Sequence, residues 1–231
     1  MRHTTTKAGN AKAKKTNRGR GNAPGPRVQQ SEDGRRPQAD SRQGKPAKNE
    51  RSGEPLLEKF FLDQLKDIYY AEQKIAQSLP KMRQSATTEI LQDAFEDHLL
   101  QTERHVRRLE KIFQTLGKKP EGKVCEAIEG IIREAETIIK ETEAGTMTRD
   151  AALIIAAQKV EHYEIATYGG LVQLAITMRL DAAAELLDMT LVEEEDTDAI
   201  LTEIAENEIN LCAEHEGNEY SWEQVTIMTT D

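Results

Sequence analysis

Four long segments of this 231-residue chain place their apolar residues alternately three and four positions apart. That spacing puts each series on one face of an α-helix. In residues 151–178 the series is Ile154, Ala157, Glu161, Glu164, Tyr168, Leu171, Ala175 and Met178. Two carboxylates therefore lie in the middle of an otherwise apolar face, where ionised groups are costly unless they are paired, hydrogen-bonded or bound to metal.

The other three segments also have apolar ends and a polar middle. Residues 55–81 give Phe61, Leu65, Ile68, Glu72, Ile75 and Leu79; residues 88–116 give Leu91, Phe95, His98, Thr102, His105, Leu109, Ile112 and Leu116; residues 181–210 give Leu187, Leu191, Glu194, Asp198, Leu201 and Ala205. Each series predicts an amphipathic helix whose buried face is interrupted by polar side chains near its centre.

Local signals set the predicted ends of these helices. Pro55 is predicted to be the first residue of the first helix, and Pro80 lies near its end at about residue 81. Gly117 is a stop signal for the second helix. Thr148 and Asp150 are predicted caps for the third helix.

A shorter amphipathic segment, residues 121–144, separates the second and third long helices. It is long enough to carry the chain back along a bundle, so that these two helices run parallel. The chain shows almost no strand pattern. We therefore predict an all-α fold, a ferritin-like four-helix bundle with a long helical crossover between helices two and three.

The first 52 residues differ in composition from the rest of the chain. They contain 14 lysines and arginines and four acids, net about +10, and Val28 is the only Val, Ile, Leu, Phe or Trp among them. The other residues hold the remaining 17 bases and 37 acids, net −20. We predict a disordered basic tail over 1–52, the bundle over 53–216 and a C-terminal tail over 217–231.

Cysteine usage and hydropathy indicate the compartment. Cys125 and Cys212 form no CxxC pair or disulfide framework, which favours a reducing environment. No run of about 18 apolar residues predicts a membrane span, and the basic N-terminus lacks the apolar stretch of a secretory signal. The sequence predicts a cytoplasmic protein without a membrane partner.

Counting residues from the predicted turns places the polar centres of all four helices at one level. Glu72 and His98 lie 12 and 14 residues from a turn centred near residue 84. Acids crowded into one buried layer repel one another unless a cation lies among them. Oxygen ligands with one or two imidazoles suit iron or manganese, as a single ion or as a pair, and suit zinc less well. The predicted ligands are Glu72, His98, Glu161, Glu164, Glu194 and Asp198.

Several neighbouring polar residues are assigned other roles. His105 lies about 10 Å along the helix from His98 and is predicted to have a structural or hydrogen-bonding role. His162 points about 100° away from Glu161. Glu193 is assigned to a solvated face, and Tyr168 is predicted to lie just outside the ligands.

Four motifs carry a resemblance to a known family: Asp67-Ile-Tyr-Tyr-Ala-Glu72, His98-Leu-Leu-Gln-Thr102, Lys159-Val-Glu-His-Tyr-Glu-Ile-Ala-Thr-Tyr-Gly169 and Thr190-Leu-Val-Glu-Glu-Glu-Asp-Thr-Asp198. Over about residues 55–210 the chain resembles the YciE/YciF family of bacterial ferritin-like proteins. The resemblance implies a ferritin-like bundle, a homodimer and an association with bacterial stress responses. The basic tail lies outside it.

The ligand pattern departs from that of di-iron bundles, which place Glu-x-x-His on two helices. This chain has no Glu-x-x-His; helix three carries Glu161-x-x-Glu164, and helix four carries Glu194-x-x-x-Asp198. We expect a metal-binding stress protein that reduces peroxide or oxidises Fe(II). The alternative is a non-enzymatic stress or DNA-associated bundle, whose basic tail binds nucleic-acid phosphates without sequence preference. A tail that only increases solubility is also compatible with the composition.

Overall fold

The computed structural model describes residues 55–217, and every regular element in that range is helical. The elements are α1 (Leu56–Ser85), α2 (Glu89–Thr115), α3 (Glu126–Glu141), α4 (Met147–Thr177), α5 (Asp181–Ile204) and α6 (Asn210–His215), with a π-helical turn (Ala205–Ile209) between α5 and α6. The predicted all-α bundle is confirmed. The predicted basic tail, 1–52, and residues 218–231 of the predicted C-terminal tail lie outside the described residues.

The four long helices α1, α2, α4 and α5 form the bundle. Three-residue links, 86–88 and 178–180, join α1 to α2 and α4 to α5, so each pair is antiparallel. Asp150, in the first turn of α4, accepts hydrogen bonds from the backbone nitrogens of Thr87 and Thr88, at 2.6 and 2.8 Å, just before α2 begins. The two helices therefore begin at the same end of the bundle and run parallel.

The crossover that this topology requires contains α3, which packs against α1 and α4. Its apolar face buries Ile128 and Ala135. At its C-terminal end, the buried guanidinium of Arg149 donates hydrogen bonds to the carbonyl oxygens of Ile139 and Thr142. These bonds satisfy carbonyls that lack partners within the helix and place a positive charge at the negative end of its dipole.

The first helix is longer than predicted. Pro55 precedes it rather than opening it, and its carbonyl accepts the first helical bond from the nitrogen of Lys59 at 3.0 Å. The helix continues past the predicted end near residue 81 to Ser85, through Pro80. Pro80 is exposed, while Leu79 and Met82 are buried. Burial of these apolar side chains outweighs the backbone hydrogen bond that proline removes.

The predicted caps of the third long helix are wrong. Thr146 is the N-cap, and its Oγ1 accepts a hydrogen bond from the nitrogen of Arg149 at 3.1 Å. The carboxylate of Glu216 accepts hydrogen bonds from the nitrogens of Met147 and Thr148. Thr148 and the other predicted cap, Asp150, lie inside the helix because these earlier oxygens already satisfy its first free N–H groups.

The last long helix is interrupted before its predicted end near residue 210. α5 ends at Ile204, and one π turn leads into α6. Ile204 and Ile209 are both buried although they lie five residues apart. The extra residue of the π turn keeps both isoleucines on the buried face.

Apolar side chains enclose the polar layer along each helix. In α1, Leu65 and Ile68 precede Glu72, and Ile75 and Leu79 follow it, all of them buried. The polar layer thus lies in the middle of the bundle. Between residues 55 and 217, no helix has both the length and the apolar character needed to cross a membrane.

Candidate metal centre

Six buried side chains from all four bundle helices meet in the polar layer. They are Glu72 from α1, His98 and His105 from α2, Glu161 and Glu164 from α4, and Glu194 from α5. None is more than 4% exposed. The helical periodicity predicted every one of these residues to lie on a buried face.

The first group consists of His98, Glu161, Glu164 and Glu194. One ligand atom from each lies within 4.8 Å of the other three. Nε2 of His98 is 3.4 Å from Oε1 of Glu161. Glu161 and Glu164 are three residues apart in α4, which directs both carboxylates towards the same side.

The second group consists of Glu72, His105 and Glu194, with the same 4.8 Å limit between its ligand atoms. Nδ1 of His105 is 2.9 Å from Oε1 of Glu194 and 3.5 Å from Oε1 of Glu72, at angles that form no hydrogen bond. Glu194 belongs to both groups. Its two carboxylate oxygens suit it to bridge two cation positions.

The cluster contains many polar atoms that lack hydrogen bonds. Within residues 55–217, nine buried side-chain nitrogen or oxygen atoms have no hydrogen-bond partner, and all nine belong to these six residues. Both oxygens of Glu164 and Glu194 and both ring nitrogens of His98 are among them. Folded proteins rarely leave buried polar groups without partners, because each costs about 1–3 kcal/mol. Bound cations would satisfy these atoms.

Protonation equilibria reflect the same crowding. Burial, together with the charge of Glu194, holds the pKa of Glu161 and of Glu164 well above the ordinary glutamate range. Burial also raises the pKa of Glu72. Without a cation the cluster therefore takes up protons, whereas a cation would favour the carboxylates.

The two histidines have different environments. Burial lowers the pKa of His98, which keeps its imidazole neutral and able to bind a metal. Burial has the same effect on His105, but the carboxylates of Glu194 and Glu72 outweigh it and raise its pKa to about 10. A metal beside these carboxylates would compete directly with that proton.

Glu193 fixes the orientation of His105. Nε2 of His105 lies 2.8 Å from Oε2 of Glu193. Arg108 donates two hydrogen bonds to Glu193, at 3.0 and 2.6 Å. Although partial burial opposes ionisation, these donors hold the pKa of Glu193 at about 2. A permanently ionised Glu193 accepts the Nε2 proton and turns Nδ1 towards the cluster.

Tyr168 donates a hydrogen bond to Oε1 of Glu72, and its ring is fully buried. The other oxygen of Glu72 has no partner among the described residues. Tyr168 therefore orients a candidate ligand and lies beside the cluster, where the sequence predicted it.

The donor set matches that of ferritin-like dimetal sites, but its positions differ. Those sites use one glutamate from each of two helices and a Glu-x-x-His pair from each of the other two, giving four glutamates and two histidines. This cluster also has four glutamates and two histidines. Here both histidines lie seven residues apart on α2, and α4 supplies Glu161 and Glu164. The missing Glu-x-x-His motif is thus compensated by other positions.

The structure brings five of the six predicted ligands together, and Asp198 lies outside both groups. Asp198 is partly exposed, accepts a hydrogen bond from Gln158 at 3.2 Å and lies 3.4 Å from Nε2 of His162. Thr197 takes the buried position on α5 instead. The buried series of α5 is Leu187, Thr190, Glu194, Thr197, Leu201 and Ile204. Thr190, Thr197 and Ile204 thus take the places predicted for Leu191, Asp198 and Ala205, each one residue earlier.

The sequence prediction did not place His105 at the level of Glu72, because the turn was misplaced. In an antiparallel helix pair, residues equally far from the turn lie side by side. With the turn at residue 84, the partner of residue 72 is residue 96, and the nearest histidine is His98. The observed link, 86–88, moves the partner position to Thr102, midway between His98 and His105. Both histidines are therefore near the level of Glu72. The sequence did place His98 and His105 on the same buried face of the second helix, and that shared face could have indicated that both reach the cluster.

Comparisons with known proteins identify the family of this chain. Residues 56–214 match the family described as "Domain of unknown function (DUF892)". The chain is 42% identical to Protein YciF of Escherichia coli (strain K12) over 160 residues, which are 69% of this chain and 96% of that protein.

Solved structures show the same fold. The crystal structure of the E. coli stress protein YciF has a TM-score of 0.65 and 41% identity, covering 68% of this chain and 99% of that chain. YcfI, a putative structural protein from Rhodopseudomonas palustris, has a TM-score of 0.62 and 40% identity, covering 63% of this chain and 92% of that one. The chain therefore belongs to the DUF892 domain family and to the YciE/YciF family of bacterial ferritin-like proteins.

Proposed function

We propose that this protein binds two iron or manganese ions in the bundle core and uses them to react with peroxide or to oxidise Fe(II) during stress. The observation that supports this most strongly is the set of nine buried atoms without hydrogen-bond partners, all in the six clustered residues. A structural polar network would satisfy its own donors and acceptors. In this cluster the nine atoms face one another without forming hydrogen bonds.

The charge of the cluster supports a pair of ions. Four ionised glutamates carry four negative charges, and two divalent cations neutralise them when both histidines are neutral. The group of His98, Glu161, Glu164 and Glu194 would hold one ion, and the group of Glu72, His105 and Glu194 the other. Carboxylate and imidazole ligands suit Fe(II) and Mn(II), and no cysteine lies in either group.

The residues of this chain would prepare the site for redox chemistry. Bound iron or manganese would supply the change in oxidation state. The buried carboxylates keep the site anionic, Glu193 fixes the tautomer of His105, and Tyr168 orients Glu72. E. coli YciF is described as a stress protein, and its similarity to this chain supports a role in stress for this chain as well.

Metal uptake by the full-length chain tests the proposal. Chelator-treated protein is loaded with Fe(II) without oxygen, or with Mn(II), desalted and measured by elemental analysis. We expect about two ions per chain, one for each ligand group. Glu164→Gln should lose metal, and the exposed Glu195→Gln is the matched control that should retain it. Uptake below about 0.3 ions per chain would exclude the proposal.

The basic composition of residues 1–52 favours a second function, attachment to nucleic acid. Fourteen lysines and arginines against four acids provide the charge for phosphate binding. We expect the full chain to retard DNA in gels at low salt, and deletion of 1–52 to abolish that retardation. Retardation that survives the deletion, or is absent from the full chain, contradicts this role.

We also propose a cytoplasmic homodimer, as the family resemblance and the cysteine usage imply. Light scattering on purified protein should give twice the mass of one chain. A large cage of the storage-ferritin type would give a far greater mass and would contradict this assignment. Fractionation of the source cells should place the protein with the cytoplasmic fraction, and recovery outside it would contradict the compartment.

A further inference from the structure

An apolar cavity of about 120 Å³ lies among α1, α2, α3 and α4, beside the metal centre. Its walls are mainly apolar and include Leu79, Met82, Phe95, Ile132, Ala135 and Ala156. The crossover helix α3 forms one side of it. Nothing in the proposed metal binding requires a cavity at this position.

The cavity connects the protein surface with the metal centre. His98 and Glu161 line its buried end. Lys81 of α1 and Glu136 of α3 also line it, and both are exposed side chains joined by an ion pair of 2.7 Å. An exposed ion pair of this kind is weak and easily broken. The lining of the cavity therefore runs from exposed side chains to the two buried residues of the candidate metal centre.

The size and walls of the cavity select its occupant. Apolar cavities of about 150 Å³ stay dry and bind benzene or xenon. Ala135 and Ala156 face this space from two helices, where larger side chains would fill it. Along these apolar walls an ion would lose hydration without gaining hydrogen bonds.

A second cavity reaches the candidate metal centre from another side. It has a volume of about 100 Å³, reaches His98 and Glu161 from the side of α2 and α5, and carries the polar side chains of Asp97, Gln101 and Thr197. Two cavities thus reach the same two residues from different sides.

We infer that the apolar cavity under α3 binds small uncharged molecules and is the route by which dioxygen reaches His98 and Glu161. The route rests on the proposed function, since a metal at these residues is what would use dioxygen. The binding of apolar molecules rests on the cavity alone.

Xenon is the probe for the binding site. Crystals of the full chain are pressurised with xenon and its anomalous signal is measured for the wild type, Ala135→Leu and Ala127→Leu. Ala127 is an exposed alanine on α3 and gives the matched control. We expect xenon in the wild type and the control, and an occupancy at least about fivefold lower in Ala135→Leu. A wild-type cavity without xenon overturns the binding site.

Oxidation of the Fe(II)-loaded protein tests the route. We expect the rate with dioxygen to fall about fivefold or more in Ala135→Leu and to stay unchanged in the control Ala127→Leu. Ile132→Phe is a second filling variant should Ala135→Leu fail to fold. An unchanged dioxygen rate in a variant that excludes xenon overturns the route but leaves metal binding intact. Absence of Fe(II) uptake overturns the proposed function and the route, and the xenon result still decides the binding site.

Discussion

The Nε2 atom of His105 lies 2.8 Å from Oε2 of Glu193, and this contact directs the opposite ring nitrogen, Nδ1, towards Glu72 and Glu194. Arg108 keeps Glu193 ionised through two hydrogen bonds. One partly exposed glutamate thereby determines which nitrogen of a fully buried histidine is available to a metal.

Glu193→Gln should weaken metal binding without removing a ligand. A neutral amide accepts the Nε2 proton less strongly, and loss of such partners typically lowers metal affinity about 10–100-fold. Competition with a chelator of known affinity measures the change. Glu195→Gln, two residues further along α5 and exposed, should leave the affinity unchanged. Equal affinities for the wild type and Glu193→Gln would remove this role of Glu193.

Single substitutions should separate the two metal positions. His98→Ala removes a ligand from the first group and His105→Ala from the second, so each variant should hold about one ion per chain. Glu194→Ala removes the residue common to both groups and should hold almost none. Circular dichroism should show that helix content is retained. A His105→Ala variant that still holds two ions contradicts the assignment of the second group.

Stability should change with pH in opposite directions with and without metal. Burial raises the folded-state pKa of Glu72, Glu161 and Glu164, so the metal-free folded protein binds more protons than the unfolded chain. The raised pKa of His105, about 10, acts in the same direction. The free energy of unfolding of metal-free protein should therefore fall as pH rises from about 6.5 to 8.5. The lowered pKa of His98 has its effect below this range.

Metal-loaded protein should become more stable over the same pH interval, because metal binding releases the protons of its ligands. Urea denaturation of chelator-treated and loaded samples at each pH gives both slopes. A Glu161→Gln, Glu164→Gln double variant should have a smaller slope in the metal-free state. Parallel slopes for the two wild-type samples would contradict the protonation of the empty cluster.

Asp150→Ala should destabilise the bundle where α2 and α4 begin together. The buried carboxylate accepts hydrogen bonds from the nitrogens of Thr87 and Thr88 and from the hydroxyl of Thr88. Its loss should lower the free energy of unfolding by about 2–4 kcal/mol, since buried donors lose charged acceptors. Urea denaturation measures this, with the exposed Asp93→Ala as control. A loss below about 0.5 kcal/mol would show that this carboxylate does not join the helices.

The fold could be predicted from the sequence because the apolar periodicity of each helix is long and regular. Glu72, Glu161, Glu164 and Glu194 were found by the same signal, since each interrupts an apolar face that packing forces inward. Burial on a face depends on local spacing alone. It therefore did not require the positions of the turns.

The sequence was a poorer guide to which residues of neighbouring helices lie at the same height in the bundle. Those heights depend on where a turn lies, and burial of Leu79 and Met82 carries α1 past Pro80 and moves the turn by three residues. That shift accounts for the unpredicted position of His105 beside Glu72. The prediction of Asp198 as a ligand depended on a single-residue choice within a helical turn, and the packing of α5 places Thr197 inward instead.

Anomalous diffraction from a crystal of the full-length protein loaded with Mn(II) or Fe(II) tests the central claim most directly. The account predicts two peaks per chain, one among His98, Glu161, Glu164 and Glu194, and one among Glu72, His105 and Glu194, with Glu194 in contact with both. A loaded crystal whose core shows no anomalous peak, or whose only peaks lie at surface carboxylates, would contradict it.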